Sequence, residues 1–256
     1  VKVDKGHVLR LLGRWFLKRA LGKRYPLVAT YCITHFCNFY CCMCPFGTPD
    51  KESQLKAALE RDLTTDQWKM IIAKMAKFSV WSCIEGGEPT TREDIMELLQ
   101  YAKSLGTFVT LTTNGSLLHK FDARQLSAAV DAVCCAFDSI DSDAYCKMRG
   151  VSPVIHHLVE DNLMMLAEEK IPFFTNPVIT KFNVEEYATG EYFDYVSREL
   201  NITVVTPTIV EPYSDVDFSL LPEKNDLRRI AQGVLDYAKK RDKPLIGTPL
   251  LYWKQI

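Results

Sequence analysis

Four cysteines fall within eight residues of the chain, at Cys37, Cys41, Cys42 and Cys44. Cys37, Cys41 and Cys44 have the spacing C-x3-C-x2-C, and cysteine thiolates bind both zinc and iron–sulfur clusters. Structural zinc sites usually need two separated ligand pairs, and the sequence has no second C-x2-C or H-x3-H pair. Three thiolates fit a four-iron cubane whose fourth iron stays open for a small molecule. Using Cys42 in place of Cys41 would spoil this spacing, so we expect Cys42 not to be a ligand.

From residue 26 onward, apolar runs typical of buried strands alternate with amphipathic stretches typical of helices. This order indicates a parallel sheet with helical crossovers. The predicted strands span residues 26–34, 79–84, 107–113, 132–138, 172–179 and 202–210. The predicted helices span residues 64–77, 91–105, 121–130, 152–169, 184–200 and 223–241. A capping box at residues 90–93 and the pair Ser152-Pro153 mark two helix starts.

The predicted fold class is therefore α/β. Six β-α units fit either an open doubly wound sheet or a curved partial barrel, and they fall short of the eight units of a closed barrel. In both architectures the loops after the carboxyl ends of the strands form the site, and the cysteine loop follows the first predicted strand. We predict a basic amphipathic helix in residues 1–25, a main domain in residues 26–243 and a C-terminal segment in residues 244–256, where another element begins.

The composition is that of an ordinary globular protein, with 47% hydrophobic residues, 25% charged residues and a net charge of −1. This balance gives no electrostatic case for nucleic-acid binding. The first 25 residues differ, because they hold eight Lys and Arg against the single acid Asp4. Residues 7–24 have an amphipathic pattern that either packs on the domain or lies on an anionic membrane surface. Nine scattered cysteines and no secretory signal predict a reduced, cytoplasmic protein.

The cysteine loop resembles that of the radical S-adenosylmethionine superfamily. The resemblance implies a partial (βα)6 TIM-like barrel with parallel strands. It also implies that Cys37, Cys41 and Cys44 hold a [4Fe–4S] cluster whose open iron binds S-adenosylmethionine (SAM). In this superfamily an electron from the cluster cleaves SAM, and the resulting 5′-deoxyadenosyl radical abstracts hydrogen from a substrate or adds to it. The implied partners are an electron donor, such as a flavodoxin or ferredoxin, and a substrate.

Residues 86–89, after the second predicted strand, resemble the superfamily's GGE(P) motif. Paired glycines let a backbone approach a ligand closely, and a carboxylate suits the methionine ammonium of SAM. The match implies SAM contacts for Gly86, Gly87, Glu88 and Pro89. Asn114 lies in a Thr-Asn-Gly segment similar to the family's segment after the third strand. Met43 stands where relatives carry an aromatic residue that packs on the adenine.

Three further positions resemble cosubstrate contacts of the molybdenum-cofactor cyclase and peptide-maturase branches. Asp138 ends the fourth predicted strand near the position of a ribose-binding polar residue. Arg149 follows in an Arg-Gly pair, and Asn176 matches a polar residue on the fifth strand. After the sixth strand, Glu211 and Tyr213 are candidate substrate contacts.

The resemblance leaves the substrate open. Residues 24–28 are similar to a segment of the hopanoid-adenosylating enzymes, which act on lipids, and the basic helix agrees with a lipid substrate. A peptide- or cofactor-maturing enzyme is the alternative, although no cysteine follows Cys146 where peptide maturases carry auxiliary-cluster ligands. A non-enzymatic zinc or iron–sulfur protein is the hypothesis from a different class.

Overall fold

A computed structural model describes residues 5–20, 22, 25–211, 217–240 and 245–256 of the chain. Helices and strands alternate along these residues. The helices are α1 (Lys5–Ala20), α2 (Lys51–Arg61), α3 (Thr65–Met75), α4 (Ile95–Ser104), α5 (Ala123–Ala129), α6 (Ser142–Arg149), α7 (Pro153–Glu168), α8 (Val184–Thr189), α9 (Glu191–Arg198), α10 (Lys224–Lys239) and α11 (Leu250–Lys254). The strands are β1 (Val28–Cys32), β2 (Trp81–Glu85), β3 (Phe108–Thr113), β4 (Ala132–Cys135), β5 (Phe173–Thr175), β6 (Val178–Ile179), β7 (Val204–Val205), β8 (Thr208–Ile209) and β9 (Leu245–Ile246).

Seven strands form one sheet in the order β1-β2-β3-β4-β5-β7-β9, and every neighbouring pair is parallel. Strands β6 and β8 form a second parallel pair. Helices connect the successive strands of the main sheet from β1 to β9, as parallel pairing requires, because a crossover must return the chain to the same end. The structure therefore confirms an α/β fold with parallel strands.

Pro177 and Pro207 each divide a predicted strand. The predicted strand 172–179 becomes β5 and β6, and the predicted strand 202–210 becomes β7 and β8. The prediction of two continuous strands was wrong because proline has no N–H to donate to the ladder. The halves beyond the prolines leave the main sheet and pair with each other, with Val178 opposite Thr208.

The helices differ from the sequence patterns at five places. Helices α2, α6 and α11 lie in segments where the sequence analysis gives no helix. The predicted helix 184–200 is divided at Gly190, whose φ of 85° ends α8. The capping box expected at residues 90–93 is wrong, because α4 begins at Ile95 after the N-cap Asp94. The start at Ser152 is confirmed, with Pro153 in the first turn of α7.

The two ends of the described chain both contact the domain. In α1, Leu11 is buried and Trp15 Nε1 donates a hydrogen bond to the carbonyl of Tyr25 at 3.1 Å. At the other end, β9 pairs with β7, and Trp253 of α11 is 1% exposed. Among the described helices, none has both the length and the apolar character needed to cross a membrane.

The helices bury apolar residues against the outer face of the sheet. Side chains that are fully buried there include Ile84 on β2, Leu98 on α4, Val133 on β4 and Leu163 on α7. Strand residues alternate between two faces, so the other face of each strand turns inward, toward the concave side of the sheet. This packing holds the carboxyl ends of β1 to β5 along one edge, where the predicted site residues follow.

Candidate active site

The cysteine loop lies at the carboxyl end of β1 and is held by backbone hydrogen bonds on two sides. On one side the N–H groups of Gly87 and Glu88 donate to the carbonyls of Thr34 and Phe36, at 2.8 and 2.7 Å. On the other side, the N–H groups of Tyr40 and Cys42 donate to the carbonyls of Arg149 and Met148, at 3.1 and 2.9 Å. The loop is therefore positioned by the segments that follow β2 and end α6.

Two glycines make this close packing possible. A Cβ atom on Gly87 would lie 2.2 Å from the backbone oxygen of Phe36, well inside van der Waals contact. Gly150 ends α6 at a φ of 62°, and a Cβ there would lie 2.5 Å from the backbone oxygen of Tyr40. Any larger residue at either position would push the cysteine loop away from its neighbours.

The three cysteines expected to be ligands face the protein, whereas Cys42 is exposed. Cys37 and Cys41 are buried and Cys44 is half-buried. Burial raises the pKa of the Cys37 thiol to about 11 and also raises that of Cys41, so these groups are neutral thiols without a metal. Binding of iron would displace their protons.

The number of thiols on the loop fits a cluster with one open iron. A structural zinc site takes four protein ligands, and a four-iron cubane takes one thiolate per iron. Three thiols on one loop, at Cys37, Cys41 and Cys44, therefore fit a four-iron cubane whose fourth iron stays open for a small molecule.

Two cations lie beside these thiols. Arg149 Nη1 is 3.6 Å from Cys41 Sγ, and Arg149 itself is buried. Lys51 Nζ donates to the carbonyls of Phe39 and Phe46, which brings its charge into the loop. The sequence analysis missed Lys51 because it does not predict α2. Positive charge at this position compensates the negative charge of iron-bound thiolates.

Asp138 and Arg149 form a buried ion pair. Arg149 donates through Nε to Asp138 Oδ2 and through Nη2 to Asp138 Oδ1, the latter at 2.7 Å. The Val178 N–H also donates to Oδ1 at 2.9 Å, and Asp138 is 0% exposed. These contacts occupy the carboxylate with protein donors, so in this structure Asp138 positions Arg149. Direct contact of Asp138 with a ribose stays a prediction.

Glu88 is the centre of a second buried network. It is 1% exposed, and its carboxylate accepts hydrogen bonds from Thr113 Oγ1 and from the Asn114 N–H, both at 2.7 Å. Thr90 donates to the same carboxylate. Burial raises the pKa of the Glu88 carboxyl, and these hydrogen bonds oppose the shift. Pro89 is also buried and begins a short turn of 3-10 helix.

A hydrogen-bonded chain of amides connects this network to the cysteine loop. Asn114 Nδ2 donates to Asn38 Oδ1 at 2.8 Å, and Asn38 Nδ2 donates to Ser116 Oγ at 3.0 Å. Asn38 follows Cys37 directly, and the sequence analysis did not single it out. Its only sequence signal is a polar residue between ligands, which local patterns do not distinguish from an ordinary loop residue.

A cavity of about 480 Å³ adjoins the cysteine loop at the carboxyl end of the strands. Met43, Cys44 and Arg149 line one wall, and Val178 of β6 and Thr208 of β8 line the opposite wall. Its size falls in the range of small-molecule sites, about 300–1,000 Å³. The pair of strands that the prolines create therefore forms one side of a ligand-sized cavity.

Of the remaining predicted residues, one lines this cavity. Glu211 lines it, whereas Tyr213 lies outside the described residues. Asn176 is exposed between β5 and β6, and its Oδ1 accepts a hydrogen bond from Thr206 Oγ1 at 3.2 Å. The contacts of Asn176 and Met43 with SAM, and those of Glu211 and Tyr213 with the substrate, remain predictions.

The fold and the three-thiol loop define a class of parallel α/β proteins with an iron–sulfur site at the carboxyl ends of the strands. A family model of the radical SAM superfamily matches residues 31–191, which is more than half of the chain. The chain therefore belongs to the radical SAM superfamily, as the sequence analysis predicts. This superfamily uses a [4Fe–4S] cluster and SAM.

Curated relatives of the chain have several activities. A probable GTP 3′,8-cyclase of Saccharolobus solfataricus is 27% identical over 204 residues, covering 78% of this chain and 62% of that protein. An AdoMet-dependent heme synthase of Methanosarcina barkeri is 28% identical over 163 residues, covering 63% and 45%. A PqqA peptide cyclase of Bradyrhizobium diazoefficiens is 27% identical over 166 residues, covering 63% and 41%. The chain thus spans less than two thirds of the length of each of these relatives.

Solved structures confirm the partial barrel. Streptococcus suis SuiB bound to S-adenosylmethionine aligns with a TM-score of 0.69 and 21% identity, covering 87% of this chain and 50% of that chain. The anSMEcpe protein with bound AdoMet and a peptide aligns with a TM-score of 0.62 and 14% identity, covering 87% and 62%. At these identities the likeness shows the fold.

Proposed function

We propose that this chain is the catalytic barrel of a radical SAM enzyme. Cys37, Cys41 and Cys44 would hold the [4Fe–4S] cluster, and SAM would bind between the cysteine loop and residues 86–89. The proposal rests on one observation: backbone hydrogen bonds hold the loop with the three thiols between the segment after β2 and the end of α6. That arrangement places three thiols beside a ligand-sized cavity at the carboxyl edge of the sheet.

When bound, the cluster supplies the electron that cleaves SAM to methionine and a 5′-deoxyadenosyl radical. The chain's own residues compensate the charge of the thiolates and hold the cysteine loop in position. Arg149, held by Asp138, and Lys51 place positive charge against the thiolates. Glu88 fixes Asn114 and the turn after residue 86, so the backbone at Gly87 stays against the cysteine loop.

The test replaces one thiol at a time in the anaerobically reconstituted chain. We expect Cys41→Ala to lose the brown chromophore and the release of 5′-deoxyadenosine after reduction. Cys42→Ala is the matched control, because Cys42 is the adjacent and exposed cysteine. It should keep about four iron and four sulfide per chain. Full activity of Cys41→Ala, or loss of activity in Cys42→Ala alone, would contradict the ligand assignment.

The same preparation separates the enzyme from the rival class. A non-enzymatic zinc protein would bind about one zinc per chain and would not turn over SAM. Zinc at that ratio, together with no 5′-deoxyadenosine under any reductant, would favour the rival. A flavodoxin or ferredoxin stays the proposed electron donor, and a reduced cytoplasmic location stays part of the proposal.

The substrate has two candidate classes. The names of the relatives include a GTP cyclase, a heme synthase and a peptide cyclase, which supports a cofactor- or peptide-maturing reaction. Three apolar side chains of α1, Leu9, Phe16 and Leu17, are exposed on a helix of basic sequence, which supports contact with a membrane and a lipid substrate.

Flotation with phosphatidylglycerol vesicles tests the membrane contact of residues 7–24. The intact chain should float with the vesicles, and a chain that lacks residues 1–24 should not. Equal flotation of the two chains would remove the argument for a lipid.

A further inference from the structure

Two adjacent histidines and a glutamate lie together on helix α7. Within the part of the chain that the structure describes, His156, His157 and Glu160 form the only group of three Cys, His, Asp or Glu side chains whose ligand atoms lie within 4.8 Å of one another. Glu160 is four residues after His156 and three after His157, and both spacings place side chains on a shared surface of a helix. The helix therefore brings one carboxylate to both imidazoles.

The two ring nitrogens of His156 have different surroundings. His156 is 2% exposed, and its Nε2 lies 3.2 Å from the carbonyl oxygen of Ser139. A carbonyl oxygen only accepts hydrogen bonds, so Nε2 carries a proton and donates it. Burial lowers the pKa of His156, which favours the neutral ring. In that tautomer Nδ1 holds a lone pair.

This lone pair has no partner among the described residues. Nδ1 of His156 is buried and makes no hydrogen bond to any of them. The ring itself is held by aromatic contacts, stacked on Phe137 at a centroid distance of 5.5 Å and tilted against Tyr145 at 4.8 Å. Buried polar atoms are rarely left without a partner, so the nitrogen indicates a bound group that accepts an electron pair or donates a proton.

The carboxylate of Glu160 is oriented for a ligand. Tyr195 of α9 donates a hydrogen bond to Glu160 Oε1, and Glu160 Oε2 lies 3.7 Å from His157 Nδ1. Nitrogen and oxygen ligands at about 2.0–2.1 Å from a tetrahedral zinc lie roughly 3.4 Å apart. The side chain of His157 is 66% exposed, so its ring can turn toward an ion without disturbing the core.

Two features of the group are typical of metal sites. Histidines that bind a metal usually donate their other ring N–H to a carbonyl or carboxylate, and carboxylate ligands are themselves hydrogen-bonded. His156 has such a bond to Ser139, and Glu160 has one from Tyr195. Imidazole nitrogens favour zinc and similar transition metals over magnesium and calcium, which prefer oxygen.

We propose that His156, His157 and Glu160 bind one zinc ion or a similar divalent transition metal, at a site separate from the cysteine loop. Both histidines would bind through Nδ1 and Glu160 through Oε2, and water would complete the coordination, as in other zinc sites with three protein ligands. His156 connects the site to Ser139, the residue after Asp138, so the ion would hold the segment after β4 against α7. The site does not depend on SAM cleavage.

Zinc uptake by the full chain with its cluster tests the proposal. With the cluster in place its three thiols are occupied, and zinc bound by other thiols is common to wild type and variants. Each chain is dialysed against a buffer of low free zinc concentration, and its zinc and iron are then measured by elemental analysis. We expect wild type to hold about one zinc more per chain than either His157→Ala or Glu160→Gln.

Two exposed residues outside the group supply matched controls. His119→Ala removes another exposed imidazole, and Glu168→Gln removes another exposed carboxylate of α7. Both should hold as much zinc as wild type. His156→Phe keeps an aromatic ring against Phe137 and Tyr145 and removes Nδ1, so it should lose the zinc.

Equal zinc contents in wild type, His157→Ala and Glu160→Gln would overturn the proposal and leave water as the partner of His156 Nδ1. That result is decisive even if His156→Phe fails to fold, because His157 is exposed. His157→Ala and Glu160→Gln should keep about four iron per chain and release 5′-deoxyadenosine as wild type does. Loss of iron together with zinc in His157→Ala would overturn the separation of this site from the cluster.

Discussion

Asp138→Asn tests whether the ion pair with Arg149 holds the site together. The substitution keeps the volume of the side chain and removes its charge. In the native chain Asp138 Oδ1 accepts hydrogen bonds from both Arg149 and Val178, and Oδ2 accepts one from Arg149 Nε. In the variant, the new amide N–H would face a donor of Arg149 or Val178, and the buried guanidinium would lose its counter-charge.

The expected cost follows from the burial of both partners. Asp138 is 0% exposed and Arg149 is 9% exposed, so water cannot replace the lost partner. Removing one member of such a buried pair costs about 3–5 kcal/mol. For a chain of this size each kcal/mol lowers Tm by about 2–4 °C, so the expected decrease is roughly 6–20 °C.

The assay is thermal unfolding of the reduced, metal-free chain, followed by circular dichroism at one scan rate. The double variant Asp138→Leu with Arg149→Met is the control, because an apolar pair of similar volume should recover most of the stability. A Tm of Asp138→Asn within about 3 °C of the wild type would refute the reasoning, since that corresponds to only about 1 kcal/mol. Failure of the double variant to recover would show that the pair does more than balance charge.

Two further predictions concern the loop and a second buried carboxylate. Gly87→Ala places a Cβ 2.2 Å from the Phe36 oxygen, so we expect bound iron, measured by a colorimetric assay, to fall from about four to below one per chain. Gly13→Ala is the control and should bind iron normally, because its Cβ would have no atom within 4 Å. A normal iron content in Gly87→Ala would contradict the close packing. Burial raises the pKa of Glu186 to about 7, with Asp141 and Glu191 adding to the shift and hydrogen bonds from Ser139 and Ile140 opposing it. Because the folded state then binds more protons than the unfolded state between about pH 4.5 and 7, its stability falls as pH rises through that window. From pH 5 to 8 we expect urea unfolding to show wild type losing about 2 kcal/mol relative to Glu186→Gln, and a constant difference would refute the shift.

Local sequence features predicted much of the chemistry. The spacing of Cys37, Cys41 and Cys44 and the position of their loop after a strand are properties of a short segment, so they are visible without the fold. The alternation of strands and helices likewise depends on periodicity within each element. The same local patterns gave the wrong outcome at Pro177 and Pro207, where apolar runs continue past residues that cannot join the ladder.

Tertiary structure decided the pairing of Arg149 with Asp138 and the approach of Lys51 to the cysteine loop. Each depends on which strands are neighbours, in which register, and on helices such as α2 and α6 that the sequence pattern does not reveal. The sequence shows where a charged side chain lies along the chain. Its partner and its burial away from water depend on the packing of the fold. The amino-acid sequence therefore determined which ligands the loop could offer, whereas the tertiary structure decided which charged side chains are buried together and compensate each other.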